Sequence, residues 1–181
     1  MLVGGRSSRM GRDKALLPYR GGVLAQYVAD CVNSAAGSAQ LVGNPELYGA
    51  CGYPVIADRY PGEGPLGGIL TALDQTTADW NLIVACDMPE LSVPFLSRIL
   101  TEAEGSEADV LLPIGPTGRP EPLCAVYHRR SLAGLQQAFA IGQRKITAAL
   151  ANVRARRLPL IESSALGNVN SPEDWLVYAG K

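Results

Sequence analysis

Eleven residues near the start of the chain, Gly4-Gly5-Arg6-Ser7-Ser8-Arg9-Met10-Gly11-Arg12-Asp13-Lys14, contain three glycines and four cations. Glycines such as Gly4, Gly5 and Gly11 let backbone N–H groups approach phosphate oxygens closely, and Arg9 and Lys14 can neutralise the charge those oxygens carry. A triphosphate suits that combination better than the alternative, a solvated turn. Arg12 follows Gly11 and no Lys-Ser/Thr pair comes after it, so this is not a Walker A loop, and the GxGxxG pattern is absent too.

Two aspartates end apolar runs. Asp87 follows Leu82-Ile83-Val84-Ala85-Cys86, which places a carboxylate at the carboxyl end of a strand, where ligands of open α/β sheets bind. A hard oxygen there suits magnesium, which takes one or two protein carboxylates plus substrate phosphates; the competing use is a cap for a helix near Pro89. Asp58 ends Pro54-Val55-Ile56-Ala57 and is followed by Gly62, Gly64, Gly67 and Gly68, which suggest close backbone approach at a helix start or, alternatively, structural turns. In Asn168-Val169-Asn170 the two asparagines point the same way if the segment is extended. Ser171, Pro172, Glu173 and Asp174 then read as the capped start of a helix. Arg144 and Lys145 read as a solvated helix face with a ligand contact as the alternative, and His128, without a catalytic partner set, reads as structural.

The elements that must position these groups are short apolar runs alternating with helical periodicity. Strands are expected at 40–43, 54–57, 82–86, 110–113, 122–127 and near 155–160. Leu24, Tyr27, Val28, Cys31 and Val32 form one helical face, and Leu66, Ile69, Leu70 and Leu73 another, opening near Pro65. Ser92 and Pro94 start a third helix, two more fall at about 130–141 and 144–152, and a short one opens at Pro172. Near-continuous apolar strands between helices predict an α/β, doubly wound, mostly parallel sheet with helices on both faces. The turn cluster Gly115-Pro116-Thr117-Gly118 before Pro122-Leu123-Cys124 predicts a small antiparallel excursion.

A length of 181 residues fits one domain over 1–181. A formal net charge of -1 gives no global basic field, so nucleic-acid and membrane-surface binding are not expected. No apolar run approaches a membrane span, and no signal-peptide core is read at the start, so a cytoplasmic location is expected. The four cysteines lack CxxC spacing and read as reduced, mostly buried thiols.

Taken together, Leu2 to Leu17, Asp58 to Gly68, Cys86-Asp87-Met88-Pro89, Arg119-Pro120-Glu121-Pro122 and Asn168 to Asp174 resemble, in order, the motifs of molybdenum cofactor guanylyltransferases. These belong to the nucleotidyltransferases related to sugar-nucleotide pyrophosphorylases. The resemblance implies GMP transfer from GTP to a molybdopterin-type cofactor with release of pyrophosphate, and a requirement for Mg2+. It implies that Leu2, Val3 and Gly4 border the guanosine, that Arg9 and Lys14 hold phosphates, that Asp58 lies beside the nucleotide and that Asp87 binds the metal. Asn44 is the candidate for the family's nucleotide-contacting asparagine, Gly64 and Gly68 for substrate approach, and Asn168 and Asn170 for contact with the pterin. Arg119 is read as reaching the acceptor or as a solvated hairpin charge. Gly4-Gly5 matches the form associated with guanine selection. The family usually has several apolar residues before its glycine pair, where this sequence has Met1, Leu2 and Val3, so an upstream extension is expected to lengthen the first strand.

Without a nucleophile and base pair, the simplest chemistry is in-line attack by an acceptor phosphate on the α-phosphorus, with the protein supplying alignment and charge neutralisation. The alternatives are a cytidylyltransferase or other small-molecule nucleotidyltransferase of the same fold, or a non-catalytic cofactor-binding protein. Transient contact with cofactor-supplying or molybdoenzyme partners is expected.

Overall fold

The computed structural model describes residues 1–4, 12–115, 118–160 and 164–179. Gly5, Arg9 and Gly11 of the glycine-rich loop, and Pro116 and Thr117 of the later turn, lie outside the described residues.

A two-residue hairpin comes first, β1 (Pro18–Tyr19) against β2 (Gly22–Val23), turning through Arg20 and Gly21, both at positive φ. Helix α1 (Leu24–Ala36) follows and ends on Gly37 in the left-handed region. Strand β3 (Leu41–Val42), helix α2 (Pro45–Tyr48) and strand β4 (Val55–Ile56) lead to α3 (Pro65–Gln75), β5 (Trp80–Val84), α4 (Val93–Glu104) and β6 (Val110–Ile114). Strand β7 (Cys124–His128), helices α5 (Leu132–Ala140) and α6 (Ile146–Ala149), strand β8 (Ala155–Pro159) and helix α7 (Pro172–Leu176) complete the described elements.

β3 pairs parallel with β4, and a second sheet runs in the order β5-β7-β6-β8. Leu2 joins the two, bridging in parallel to Val42 on one side and Ala85 on the other. Within this second sheet, among the described residues, β7 alone runs against its neighbours, since β6 and β8 are parallel to each other and both β5 and β6 are antiparallel to β7. This is the expected mostly parallel sheet with one antiparallel excursion.

Alternation along the strands serves two apolar layers. Leu82, Val84, Leu111 and Val126 pack on the layer of α1 and α4 with Val28, Leu96 and Ile99. Ile83, Val110, Leu112 and Tyr127 pack on the layer of α3 and α5 with Leu66, Ile69, Leu70 and Leu135. Helices therefore cover both faces, which is why the strands read as continuous apolar runs. Ser92 takes the N-cap position of α4 but makes no side-chain cap bond, whereas Ser171 and Asp174 form a full capping box at α7. All four cysteines are buried free thiols, and His128 accepts from the Arg130 N–H as a local cap. Among the described residues no helix is long and apolar enough to cross a membrane.

Candidate functional site

The strand ends around Leu2 open into a cavity of about 910 Å³. Leu2, Val3 and Gly4 form its floor, Asn44 and Asp58 line one side, and Lys14 and Asp87 line the other. Gly64 and Gly68 line it at the start of α3. Every described nucleotide-side candidate thus faces one space at the carboxyl ends of the parallel strands.

The backbone N–H groups of Leu2 and Val3 are spent on the sheet, donating to the carbonyls of Val84 (2.8 Å) and Val42 (3.0 Å), so these residues offer apolar wall to a ligand. Gly4 has φ +92°, and a Cβ there would lie 3.3 Å from the Tyr48 hydroxyl. Glycine at position 4 is therefore required by backbone and packing, whatever base is bound. Asn44 caps α2, its Oδ1 accepting from the Glu46 N–H at 2.9 Å, which leaves its amide group for a ligand. Asp58 is held by α3: Oδ1 accepts from the Tyr60 N–H at 2.9 Å and from the Thr71 hydroxyl at 3.1 Å. Gly64 (φ +82°) sets the entry to α3, and a Cβ on Gly68 would press within 3.2 Å of Leu2. Gly68 thus packs against the cavity floor.

Lys14 lies on a 3-10 turn, Lys14–Leu16, whose N-cap is Asp13. Its ammonium donates to Asn170 Oδ1 at 3.0 Å and stands 3.7 Å from Asp87 Oδ2. Three motifs far apart in sequence meet here. Asp87 itself is in the turn after β5, so the helix-cap alternative does not apply. Its backbone carbonyl accepts from the Val169 N–H at 2.9 Å, and Val169 is buried while Asn168 and Asn170 are exposed. Both asparagines are thus open to solvent, and Asn170 is the one that meets Lys14. Asp174 Oδ2 accepts from the N–H groups of Asn170 (2.8 Å) and Ser171 (2.9 Å), which holds its carboxylate below the usual range and fixes Asn170 in place.

Burial pushes the Asp87 carboxylate up, and the Lys14 cation opposes that shift. Glu121 is also pushed up, first by burial and then by the charge of Asp87. Among the described residues no group of three or more His, Cys, Asp or Glu side chains could hold a metal ion. A half-buried carboxylate such as Asp87 fits a magnesium ion that draws its remaining oxygens from phosphates and water.

Some candidates lie elsewhere. Arg119 is exposed and outside the cavity lining, its carbonyl accepting from the Gly115 N–H. Asn168 also lies outside the lining, and Asn170 reaches the site only through Lys14. Arg144 is held by Glu63 at 2.5 Å and covers the Phe139 ring, so its charge is spent beside the α3 entry loop. Not singled out in the sequence as site residues were Asp13, Gly43, Pro61 and Pro65, all in the lining, and Tyr48 beneath it. Asp13 directly before Lys14 was the available sign, since Asp is a strong N-cap.

A lysine, an aspartate and an asparagine gathered at one end of a cleft, with apolar walls and a capped helix at the other, define a nucleotide-using α/β protein. The model of the MobA-like NTP transferase domain matches residues 1–157. The chain is 34% identical over 186 residues to a probable molybdenum cofactor guanylyltransferase of Nostoc sp., covering 100% of this chain and 89% of that one. It is 33% identical to a protein of the same description from Carboxydothermus hydrogenoformans, covering 97% and 91%. Among solved structures, molybdopterin-guanine dinucleotide biosynthesis protein A from Archaeoglobus fulgidus superposes with a TM-score of 0.83 at 26% identity, covering 98% of this chain and 94% of that one. The chain belongs to the MobA-like NTP transferase family.

Proposed function

We propose that the chain transfers the GMP moiety of GTP to the terminal phosphate of a molybdopterin-type cofactor and releases pyrophosphate. The observation that carries this reading is the convergence of Lys14, Asp87 and Asn170 at one end of the cleft, with Lys14 3.0 Å from Asn170 and 3.7 Å from Asp87. Relatives named for this activity match 97–100% of the chain and supply the substrate pair.

An acceptor phosphate oxygen forms a bond to the α-phosphorus while the bond to the bridging oxygen of pyrophosphate breaks. The attacking phosphate is already ionised, so no general base is required. Leu2, Val3 and Gly4 seat the nucleoside, and Asn44 and Asp58 border it. Lys14 draws the phosphates toward Asp87 and neutralises charge as it moves onto the leaving group. Asp87 would hold Mg2+, which when bound supplies charge neutralisation on the phosphates. Arg9 is proposed to add a second cation, and Gly5 and Gly11 backbone donors. Asn168, Asn170 and Arg119 are proposed to face the acceptor. The cytoplasm is the proposed compartment.

The test is pyrophosphate release with GTP, CTP or ATP, with and without a molybdopterin-type acceptor, in magnesium or in chelator. Release that requires acceptor and magnesium and prefers GTP is expected. Preference for CTP, or no acceptor-dependent release, overturns the assignment.

A further inference from the structure

We propose that Tyr48 and Asp13 are positioning residues for Lys14: the Tyr48 hydroxyl pins the Asp13 carboxylate, and that carboxylate caps the turn carrying the lysine. The inference rests on the reading that Lys14 meets phosphate. Tyr48 is 2% exposed, and its hydroxyl donates to Asp13 Oδ2 at 2.5 Å. The other oxygen, Oδ1, accepts from the Ala15 N–H at 3.0 Å, at the first turn of Lys14–Leu16. Both carboxylate oxygens are therefore committed, and the turn that aims Lys14 at Asp87 and Asn170 is tied to the floor of the cleft.

The tie answers an electrostatic problem. Asp13 lines the same cavity as Lys14, where a carboxylate would repel phosphate and compete for the ammonium if it were free to turn. With a buried donor on one oxygen and a backbone N–H on the other, its charge is partly met and its direction fixed. Burial, together with the bond to Asp13, raises the phenol above the usual tyrosine range, so the hydroxyl keeps its proton and remains a donor. Packing fixes the ring as well. A Cβ on Gly4 would sit 3.3 Å from the Tyr48 hydroxyl, and one on Gly43 3.1 Å from Cδ2. Tyr48 ends α2, and Asn44 caps the other end of the same helix. One turn of helix thus sets the spacing between Asn44 on one side of the cleft and Lys14 on the other.

The variant Tyr48→Phe keeps the ring and removes only the hydroxyl. Calorimetric binding of inorganic tripolyphosphate in magnesium is compared for the parent chain, Tyr48→Phe, Lys14→Ala and the double variant. Tyr48→Phe is expected to weaken binding about tenfold, the scale of one hydrogen bond to a charged group. In the Lys14→Ala background the same change should add less than about twofold, because the group it positions is gone. Asp13→Ala should show the same dependence on Lys14. In turnover, Tyr48→Phe should raise KM for GTP more than it lowers kcat. An equal loss in both backgrounds, no loss, or no tripolyphosphate binding by the parent chain overturns the proposal. A parent chain that binds tripolyphosphate but releases no pyrophosphate from GTP overturns the guanylyl reading and leaves the positioning role standing.

Discussion

Asp87 is pulled in two directions, since partial burial disfavours its charge while Lys14 at 3.7 Å favours it. A cation held by substrate phosphates would add to the second pull, so the charge is needed in turnover more than in folding. Asp87→Asn keeps size and hydrogen-bonding capacity, and we expect it to fold normally by circular dichroism. Its pyrophosphate release at saturating GTP and magnesium should fall by at least about a hundredfold. A folded variant with most of the parent turnover would remove Asp87 from the role of metal ligand. At this scale Lys14, Asp87 and Asn170 were legible, because they sit in motifs whose residue types have few structural uses. Tyr48 was not, because a tyrosine in a four-residue helix gives no periodicity and its partner Asp13 lies 35 positions away.

Among the elements, the long strands were readable and the short pieces were not. Leu82 to Cys86 and Val110 to Pro113 announced themselves because both faces of the sheet are covered, and the observed strands β5 and β6 fall on or within three residues of those runs. The β1–β2 hairpin escaped because Arg20, at φ 49°, occupies a place where Asn, Asp or Gly is the usual sign. It matters to the site: the hairpin's Tyr19 hydroxyl donates to the Pro89 carbonyl at 3.0 Å and, from α1, that of Tyr27 to the Leu91 carbonyl at 2.8 Å, steadying the loop behind Asp87. A second legibility limit is Gly43, where a Cβ would lie 2.6 Å from Val3 Cγ2 and 2.8 Å from the Val3 carbonyl. Backbone cannot yield as a side chain does, so Gly43→Ala is expected to cost about 1–3 kcal/mol. The check is thermal unfolding, with a midpoint lower by roughly 3–10 °C. An unchanged midpoint would mean that the β3 end moves freely relative to Val3.

For the molecule as a whole, Asp109 gathers the far end of the sheet. It accepts from Arg130 Nε at 2.6 Å and from the Arg154 N–H at 3.0 Å and Nη2 at 3.1 Å, tying the start of β6 to the segments before α5 and β8. Its hydrogen bonds to Arg154 hold the carboxyl well below its ordinary range, against the smaller effect of burial. The folded pKa is depressed, so the native state binds fewer protons than the unfolded chain over that interval. The stabilisation is full above the unfolded value of about 4 and fades as pH falls below it. Asp109→Asn should therefore melt below the parent at pH 7, with the gap narrowing between about pH 4 and pH 2. A gap that stays constant over that range would assign the effect to packing. None of this was visible in the sequence, where Asp109 lies 21 and 45 positions from its partners.

Among the described residues the two sheets are bridged through Leu2, which makes the middle of the sheet a seam, and a seam has kinetics of its own. Cys86, pushed up to about 12 chiefly by burial, lies against the Gly4 backbone beside it and is closed off while the halves are joined. Parting them requires loss of the Leu2–Val84 hydrogen bond on one side of the first residues, or of the Val3–Val42 and Val42–Met1 bonds on the other. The rate at which iodoacetamide captures Cys86 at pH 8 thus becomes a clock for sub-global opening, distinct from complete unfolding. A nucleotide lying across Leu2 and Val3 would act as a splint, and the clock should slow in proportion to its occupancy. If capture of Cys86 keeps pace with that of the deeply buried Cys124 with and without GTP, the two halves part only when the whole chain unfolds.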